Sequence, residues 1–203
     1  MPKLTYFDIP ASRGEECRLA LYLAGVDFED VRVSFQDWPA LKPNTPFGSM
    51  PLFEIEGKPV LSQTNAILGL IGRGHGLHPK DNWEAARHES LMAAVEDLRH
   101  AVVARLRAPE ERKVEARAEL ANEVLPQWAE RIERQLNPAP APFLAGEAIS
   151  VADIKLYMVE RWFSSGSVDL VPADVFVPFT RLKALTQAVA AHPKVVEWYA
   201  RGR

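Results

Sequence analysis

The sequence has little cysteine or histidine and no excess of positive charge. It contains one cysteine, Cys17, and five scattered histidines among 203 residues. A single cysteine cannot form a disulfide within the chain, so a cytoplasmic location is the default expectation. Without a Cys/His cluster, no metal site is expected. Lys and Arg number 24 against 27 Asp and Glu, and no basic block stands out, so we expect no nucleic-acid partner.

Long apolar runs are also missing. No stretch approaches 18 consecutive apolar residues, so we expect no membrane span and no membrane partner. Residues 1–10 lack an apolar run long enough for a secretory signal. Apolar residues make up 47% of the chain and charged residues 25%, which are ordinary values for a folded globular protein. The length allows one large domain or two small ones.

What the sequence does contain begins with a predicted β-α-β unit. Residues 4–7 are a short strand candidate, and residues 15–24 are apolar almost all round, as in a helix buried on a sheet. Gly25 is suited to end that helix. Residues 28–35 alternate between apolar and polar, which predicts a second strand. Because a crossover helix joins the two strands, they are expected to pair in parallel.

A predicted hairpin and helix follow. An irregular, proline-rich stretch over residues 37–50 leads to strand candidates at residues 51–55 and 59–61, with a turn at Glu56-Gly57. Thr64 is a candidate cap for a helix over residues 65–71. The first part of the chain therefore reads β-α-β, loop, β-β-α.

The rest of the chain has only helical patterns. After a linker at residues 77–82, apolar residues recur at helical spacing over residues 91–106 and 114–132. Pro126 predicts a kink in the second of these helices. A proline-rich connection follows at residues 137–142. We therefore expect an α/β domain over residues 1–77 and an all-α domain over residues 84–203.

Two more helices are predicted in the all-α domain. Ser150 and Asp153 have the spacing of a capping box, and Ile149 and Ile154 have the spacing of its hydrophobic staple. This motif is expected to serve folding rather than catalysis. A short helix begins near residues 192–193.

Six motifs, in order from residue 4 to residue 153, resemble the glutathione transferase family, and in particular its tyrosine-type, sigma- and pi-like members of bacterial origin. They are Leu4-Thr5-Tyr6-Phe7 with Arg13 and Glu15; Asp37-Trp38-Pro39 with Lys42; Pro46-Phe47-Gly48-Ser49-Met50-Pro51; Ser62-Gln63-Thr64; Val95-Glu96-Asp97-Leu98-Arg99; and Ser150-Val151-Ala152-Asp153. Each motif alone is weak, but six in order are a strong signal. The resemblance implies a thioredoxin-like α/β N-terminal domain followed by an all-α helical domain.

The resemblance also implies an activity. Such an enzyme binds glutathione as co-substrate, ionises its thiol and delivers the thiolate to a small electrophile, typically in detoxification. Two alternatives stay open: a family member that binds without catalysis, and a glutathione-dependent peroxidase or disulfide reductase. Tyr6 is the implied hydrogen-bond donor to the thiolate, with Arg13 beside it. Cys17, inside an apolar helix, is expected to be buried and inert.

One departure from the family pattern affects the thiol site. Six residues separate Tyr6 from Arg13, where sigma-class relatives usually have five. The extra residue makes the Ser12 hydroxyl available as a rival donor. The structural interpretation of Ser12, which we prefer, is a cap of the first helix.

The resemblance assigns the remaining parts of glutathione to three places. The cysteinyl unit would pair with the backbone of Met50 at a cis Met50-Pro51 bond, and the alternative is an ordinary trans proline. The γ-glutamyl carboxylate would lie at the helix N-terminus of Gln63 and Thr64, which otherwise serves only as a cap. Trp38 and Lys42 would hold the glycine end, unless they are a solvated surface pair.

A second stripe on the helix around residues 90–106 predicts an interface. It consists of Ser90, Ala94, Asp97, Ala101 and Ala104, whose small side chains allow a second helix to approach. The resemblance implies a homodimer in which Asp97 reaches the glutathione amine in the partner subunit, with Phe47 as an aromatic anchor. The alternative is that Asp97 pairs locally with Arg99 or Arg105. The second-substrate pocket would be lined by Tyr6, Ile9, Val103 and Arg107.

Overall fold

A four-stranded mixed sheet forms the first part of the computed structural model, which describes residues 1–136 and 141–201. Its strands are β1 (Lys3–Phe7), β2 (Glu29–Val33), β3 (Leu52–Glu54) and β4 (Leu61–Ser62), in the order β2-β1-β3-β4. β1 and β2 are parallel, and β3 is antiparallel to both of its neighbours. The predicted β-α-β unit and hairpin are confirmed. β2 ends at Val33 rather than at residue 35, because its partner β1 ends at Phe7.

Nine α-helices surround and follow this sheet in the described part of the chain. They are α1 (Ser12–Leu23), α2 (Trp38–Leu41), α3 (Thr64–His75), α4 (Asn82–Leu106), α5 (Lys113–Glu119), α6 (Leu125–Gln135), α7 (Val151–Ser164), α8 (Thr180–Ala191) and α9 (Pro193–Ala200). Short 3₁₀ turns lie at Lys42–Asn44 and Glu110–Arg112. The predicted proline-rich connection at residues 137–142 lies mostly outside the described residues. The architecture is a thioredoxin-like α/β domain followed by an all-α domain.

Helix α1 joins the two parts of the molecule. It contacts β1 and α3 on the sheet side, and α7 and α9 on the helical side. Most of its side chains are buried, which agrees with its apolar sequence. A single core cluster therefore runs from Leu4 of β1 through Leu19 to Val95 and Ile154 of the helical domain. This continuity sets the side chains at the start of α1 against those of α4.

Pro126 interrupts the helical ladder as expected. A proline has no N–H to bond the carbonyl one turn earlier. The segment before it, Leu120–Val124, is a π-helical turn that separates α5 from α6. π-helical turns within helices commonly accommodate such a break.

The start of α7 has the predicted capping box. The Ser150 Oγ accepts a hydrogen bond from the Asp153 N–H, and the Asp153 Oδ2 accepts one from the Ser150 N–H at 2.8 Å. Asp153 Oδ1 also accepts a bond from the N–H of Leu144 at 2.9 Å. Ile149 and Ile154 are both buried, as expected for a hydrophobic staple.

Two helix starts differ from the prediction. Thr64 is not a cap: Gln63 occupies that position with a φ of 75°, and α3 extends to His75, where Gly76 in the left-handed region ends it. Ser12 is not a cap either, because α1 begins at Ser12 itself and Ala11 precedes it without any side-chain capping bond. Ser12 also has a positive φ, 63°. Both hydroxyls are therefore free for another role.

Over residues 1–136 and 141–201, the structure contains no helix with the length and apolarity needed to span a membrane.

Candidate functional site

A cleft of about 540 Å³ opens between the α/β domain and one face of α4. Its walls come from the start of α1, the loop before β3, the start of α3 and the second half of α4. The lining residues are Arg13, Phe47, Ser49, Met50, Gln63, Thr64, Asn65, Glu96, His100, Val103 and Arg107. The structure thus brings together six of the residues predicted to bind or activate substrates, namely Arg13, Met50, Gln63, Thr64, Val103 and Arg107. Phe47, the predicted aromatic anchor, lines the same cleft.

Unpaired polar atoms mark the end of the cleft at α3. Thr64 Oγ1 and Asn65 Oδ1 are buried and have no hydrogen-bond partner among the described residues, and the same is true of Ser62 Oγ behind them. Buried polar groups without partners are costly, so they indicate where a ligand or water binds. The N–H groups of a helix N-terminus are free to bind an anion beside them. Asn65 was missed by the sequence analysis, which treated it only as a helix residue.

Tyr6 lies behind the cleft wall. It is 5% exposed and packs with Met50 and Leu52 in a small second core cluster. Gly14 allows this packing, because a Cβ atom on Gly14 would lie 2.0 Å from Cδ1 of the Tyr6 ring. Only a glycine therefore lets α1 approach the tyrosine so closely.

The surroundings of Tyr6 set the state of its hydroxyl. Burial raises the pKa of Tyr6, while a hydrogen bond from the Ser12 hydroxyl and the charge of Arg13 act to lower it. The phenol is therefore protonated at neutral pH and able to donate a hydrogen bond. The Ser12 hydroxyl contacts the Tyr6 hydroxyl instead of capping α1.

Arg18 holds the loop that carries Ser12. Its guanidinium is fully buried and donates to the carbonyl oxygens of Phe7 at 3.1 Å and Ile9 at 2.9 Å, as well as to Asp30 at 2.8 Å. These bonds tie the end of β1 to α1 and β2. No sequence pattern indicates this role, because an arginine in an apolar helix has no distinctive spacing.

Arg13 is anchored across the cleft by Glu96 of α4. Its Nε and Nη2 atoms lie 2.8 and 2.7 Å from Glu96 Oε2, a two-point ion pair. About a quarter of the Arg13 side chain remains exposed to the cleft. The α/β domain and α4 are therefore joined by a charged pair in the cleft wall.

Behind this pair lies a buried cluster of charges. Glu96 Oε1 accepts bonds from Arg99 Nη1 at 2.8 Å and Lys155 Nζ at 2.5 Å. Glu16 of α1 is fully buried, pairs with Arg99 and accepts a bond from Lys155 at 3.0 Å. Burial acts to raise the pKa of Glu96, but Lys155, Arg99 and Arg13 outweigh it and lower that pKa to about 2. We refer to these five residues as the ion cluster.

Of the predicted glycine-end and second-substrate residues, Trp38 and Ile9 pack on the Tyr6 cluster. Met50-Pro51 is a cis peptide bond, as predicted. Trp38 is half-buried and meets the ring of Phe7 edge to face, with 5.8 Å between centroids. Ile9 packs on the same cluster, whereas Lys42 is exposed. None of Ile9, Trp38 and Lys42 is among the residues that line the cleft.

Asp97 points away from the cleft that holds Glu96. It is exposed and lines a groove of about 330 Å³ between α4 and α6. The expected local partners are engaged elsewhere: Arg99 in the ion cluster, and Arg105 with Glu119 at 2.9 Å. No ion pair to Asp97 is formed by the residues that the structure describes.

Two further candidates from the sequence, Phe47 and Cys17, lie in opposite environments. Phe47 is 69% exposed at the edge of the cleft. Cys17 is fully buried, and burial raises the pKa of its thiol far above the usual range, which agrees with an inert role. In the described ranges, no group of three or more His, Cys, Asp or Glu side chains could hold a metal ion.

A thioredoxin-like domain is packed on a helical domain, and the cleft between them has a helix N-terminus at one end and a buried tyrosine behind its wall. This arrangement is typical of a glutathione-using enzyme. Comparison with known proteins gives the same class. Residues 2–73 match the family model described as "Glutathione S-transferase, N-terminal domain", and residues 96–202 match "Glutathione S-transferase, C-terminal domain". The chain belongs to the glutathione S-transferase family, and it is a transferase enzyme.

Individual relatives match along the whole chain. Glutathione S-transferase 1 of Ascaris suum is 34% identical, over 98% of this chain and 95% of the relative. The crystal structure of the glutathione S-transferase from Ascaris lumbricoides is 33% identical with a TM-score of 0.79, covering 100% of this chain and 98% of that one. The structure of prostaglandin synthase D of Nilaparvata lugens is 26% identical with a TM-score of 0.87, with coverage of 100% and 98%. These relatives are animal proteins and lend no support to the bacterial origin expected from the sequence.

Proposed function

We propose that the cleft binds glutathione, with the γ-glutamyl carboxylate at the start of α3. The observation that carries this assignment is the set of buried, unpaired oxygen atoms on Thr64 and Asn65. In the proposal the Thr64 hydroxyl and the first N–H groups of α3 bind the carboxylate, and Gln63 adds an amide. The backbone of Met50 pairs with the cysteinyl unit. Trp38 and Lys42 bind the glycine end.

In this proposal Tyr6 donates a hydrogen bond to the glutathione thiolate. Lowering a thiol pKa by two units requires about 3 kcal/mol of preferential stabilisation of the thiolate. A charge-assisted hydrogen bond from the phenol contributes about 1.5–3 kcal/mol. The positive charge of Arg13 and the N-terminal dipole of α1 add to it. The class within the family is then tyrosine-type, with the sigma and pi classes the nearest in motif.

The second substrate is proposed to be a small electrophile held above the thiolate by Ile9, Val103 and Arg107. The chain is proposed to act in the cytoplasm as a homodimer, with Phe47 as an anchor between subunits and a role in detoxification. We take residues 1–77 as the glutathione-binding domain and residues 84–203 as the helical domain.

One pair of measurements tests the proposal. Calorimetric titration with glutathione reports binding, and a panel of aryl halides, enones and hydroperoxides assayed with glutathione reports activity. We expect micromolar to millimolar binding together with conjugation. Binding without turnover of any compound would contradict the catalytic role, and turnover of hydroperoxides alone would favour the peroxidase alternative. Cys17→Ser is the matched control, and it is expected to retain full activity because the Cys17 thiol lies outside the cleft.

A further inference from the structure

The ion cluster contains one more cation than it has carboxylates. Its cations are Arg13, Arg99 and Lys155, and its carboxylates are Glu16 and Glu96. Three positive charges against two negative charges leave a net charge of one. An excess charge in a cluster that is mostly buried is costly unless a further partner compensates it.

The hydrogen bonds show the same imbalance. The buried Nε of Arg99 has no acceptor among the described residues. All of the Glu96 and Glu16 oxygens already accept bonds from Arg13, Arg99 and Lys155. The cluster therefore has one buried donor, Arg99 Nε, without an acceptor among the described residues, and one positive charge without a compensating anion.

The position of the cluster indicates where that anion would bind. Its deep end, at Glu16 and Lys155, is closed to solvent. Its open end is Arg13, which lines the cleft and interacts electrostatically with Tyr6. An anion can approach only from the cleft side, where Arg13 is partly exposed.

Lys155 is the cation at the buried end of the cluster, and removing it would balance the charges. Without it, Arg13 and Arg99 would balance Glu96 and Glu16, and every remaining ion pair would persist. Lys155 lies on α7, 59 residues from Glu96 in sequence, and its ammonium group is completely buried between the two carboxylates. A lysine that only filled space in the core would not need two carboxylates to accommodate it.

We propose that Lys155 is a positioning residue for thiol activation, which compensates Glu96 from its buried side and so leaves the positive charge of Arg13 available to the glutathione thiolate. This inference rests on the proposed function of the cleft. Lys155 does not touch glutathione, and it acts through Glu96 and Arg13. The thiolate supplies the anion that the ion cluster lacks.

The test is the pKa of the bound glutathione thiol, followed by the ultraviolet absorbance of the thiolate as pH is varied. Lys155→Met balances the cluster and is expected to raise that pKa by about 1 unit, the size of one charge acting across roughly 10 Å of protein. Glu16→Gln leaves three cations against one carboxylate and is expected to lower it by a similar amount. Because Glu16→Gln keeps hydrogen-bonding capacity, it provides a test even if Lys155→Met fails to fold.

Lys183→Met is the matched control. It removes a lysine from a close ion pair with the buried Glu160 between α7 and α8, at 2.5 Å, away from the cleft. It is expected to change stability without changing the thiol pKa. Shifts below about 0.2 units in both Lys155→Met and Glu16→Gln, or shifts of the same sign, would overturn the inference. If the wild-type protein does not ionise the thiol of bound glutathione, the proposed function is wrong. This inference, which depends on that function, is then wrong as well.

Discussion

Tyr6 is held by contacts that fix both the position and the protonation of its hydroxyl. Its ring lies against Gly14 with no room for another side chain, and Met50 covers its other side. Burial raises the pKa of the phenol, so it remains a donor at neutral pH. A donor placed in advance costs no reorganisation when the thiolate forms, which is the condition for strong electrostatic stabilisation.

Tyr6→Phe removes this donor and keeps the ring. We expect the pKa of the bound glutathione thiol to rise by one or more units, while glutathione affinity changes little. Thiolate absorbance against pH and calorimetric titration measure the two quantities. Ser12→Ala is the comparison, because Ser12 contacts the Tyr6 hydroxyl and is expected to have the smaller effect. The assignment is wrong if Ser12→Ala produces the large shift and Tyr6→Phe does not.

Gln63→Ala and Thr64→Ala are expected to weaken glutathione binding without slowing chemistry. Both side chains lie at the α3 end of the cleft, away from Tyr6, so the loss should raise KM for glutathione severalfold and leave kcat within about twofold. Steady-state kinetics with varied glutathione measures this. Thr180→Ala, at the first position of α8, is the control for removing a threonine from a helix start. An unchanged KM in both cleft variants would contradict the assignment.

At this scale, motifs predicted several of the residues that line the cleft. Gln63, Thr64 and Met50 were found because they stand next to recognisable turns and helix starts. The ion cluster could not be predicted, since Glu16, Glu96 and Lys155 are 59 to 139 residues apart and meet only when α1, α4 and α7 pack together. Nothing in a local pattern distinguishes a buried lysine from a solvated one.

Helix starts illustrate how far an element can be predicted from its sequence. The capping box of α7 was predicted because Ser150 and Asp153 satisfy one another within four residues. α8 was not predicted, because Phe179 precedes it and offers no side-chain cap. α2 is a single turn that begins next to Pro39, too short to show a period. Elements marked by a local cap or by a long apolar repeat were predictable, whereas α2 and α8, which have no side-chain cap, were missed.

Asp153→Ala is expected to destabilise the protein more than removal of an exposed cap. The carboxylate of Asp153 bonds the N–H groups of Ser150 and Leu144, and its loss leaves both of these groups unpaired in the interior. We expect a loss of about 2–4 kcal/mol in the free energy of unfolding, measured by chemical denaturation.

Asp81→Ala is the matched control for this prediction. Asp81 caps α4 at the surface by accepting bonds from the N–H groups of Trp83 and Glu84. Because water can replace those bonds, a loss of about 1 kcal/mol is expected. Equal losses in the two variants would mean that burial of the α7 cap adds nothing.

At the scale of the whole molecule, two buried histidines lie near the point where the two domains are connected. His78 follows α3 and His88 lies on α4, with 6.2 Å between the ring centroids. Both rings have a buried nitrogen without a partner among the described residues. Glu89 lies near His78, and Glu84 and Arg87 lie near His88. Through His88, the packing of the domains is linked to pH.

His88 is expected to make the protein less stable as pH falls. Burial, with His78 nearby, lowers the pKa of His88 to about 4 from its usual value near 6.5. Below pH 6.5 the unfolded chain binds a proton that the folded chain refuses, so stability decreases between about pH 6.5 and 4. His88→Leu is expected to flatten this slope in denaturation curves, whereas His100→Leu, at an exposed histidine of the same helix, should not. Equal slopes in the wild-type protein and His88→Leu would contradict the prediction.

Asp97 is expected to act in the assembly of two subunits. Asp97 is exposed on the stripe of small residues of α4, and Arg99 and Arg105, the two local partners expected from the sequence, are engaged with other carboxylates. In the proposed homodimer this face meets the partner subunit, where the α-ammonium of glutathione is a suitable cation for the carboxylate.

Asp97→Asn is then expected to weaken glutathione binding by about 1–3 kcal/mol, the range for a charge-assisted hydrogen bond. Glu115→Gln, which removes an exposed carboxylate of α5 paired with Arg112, is the control and should leave binding unchanged. Because each site would need both subunits, glutathione should also tighten the dimer, which sedimentation at decreasing protein concentration measures. An affinity of Asp97→Asn within twofold of wild type, or a dimer indifferent to glutathione, would show that each cleft is complete within one chain.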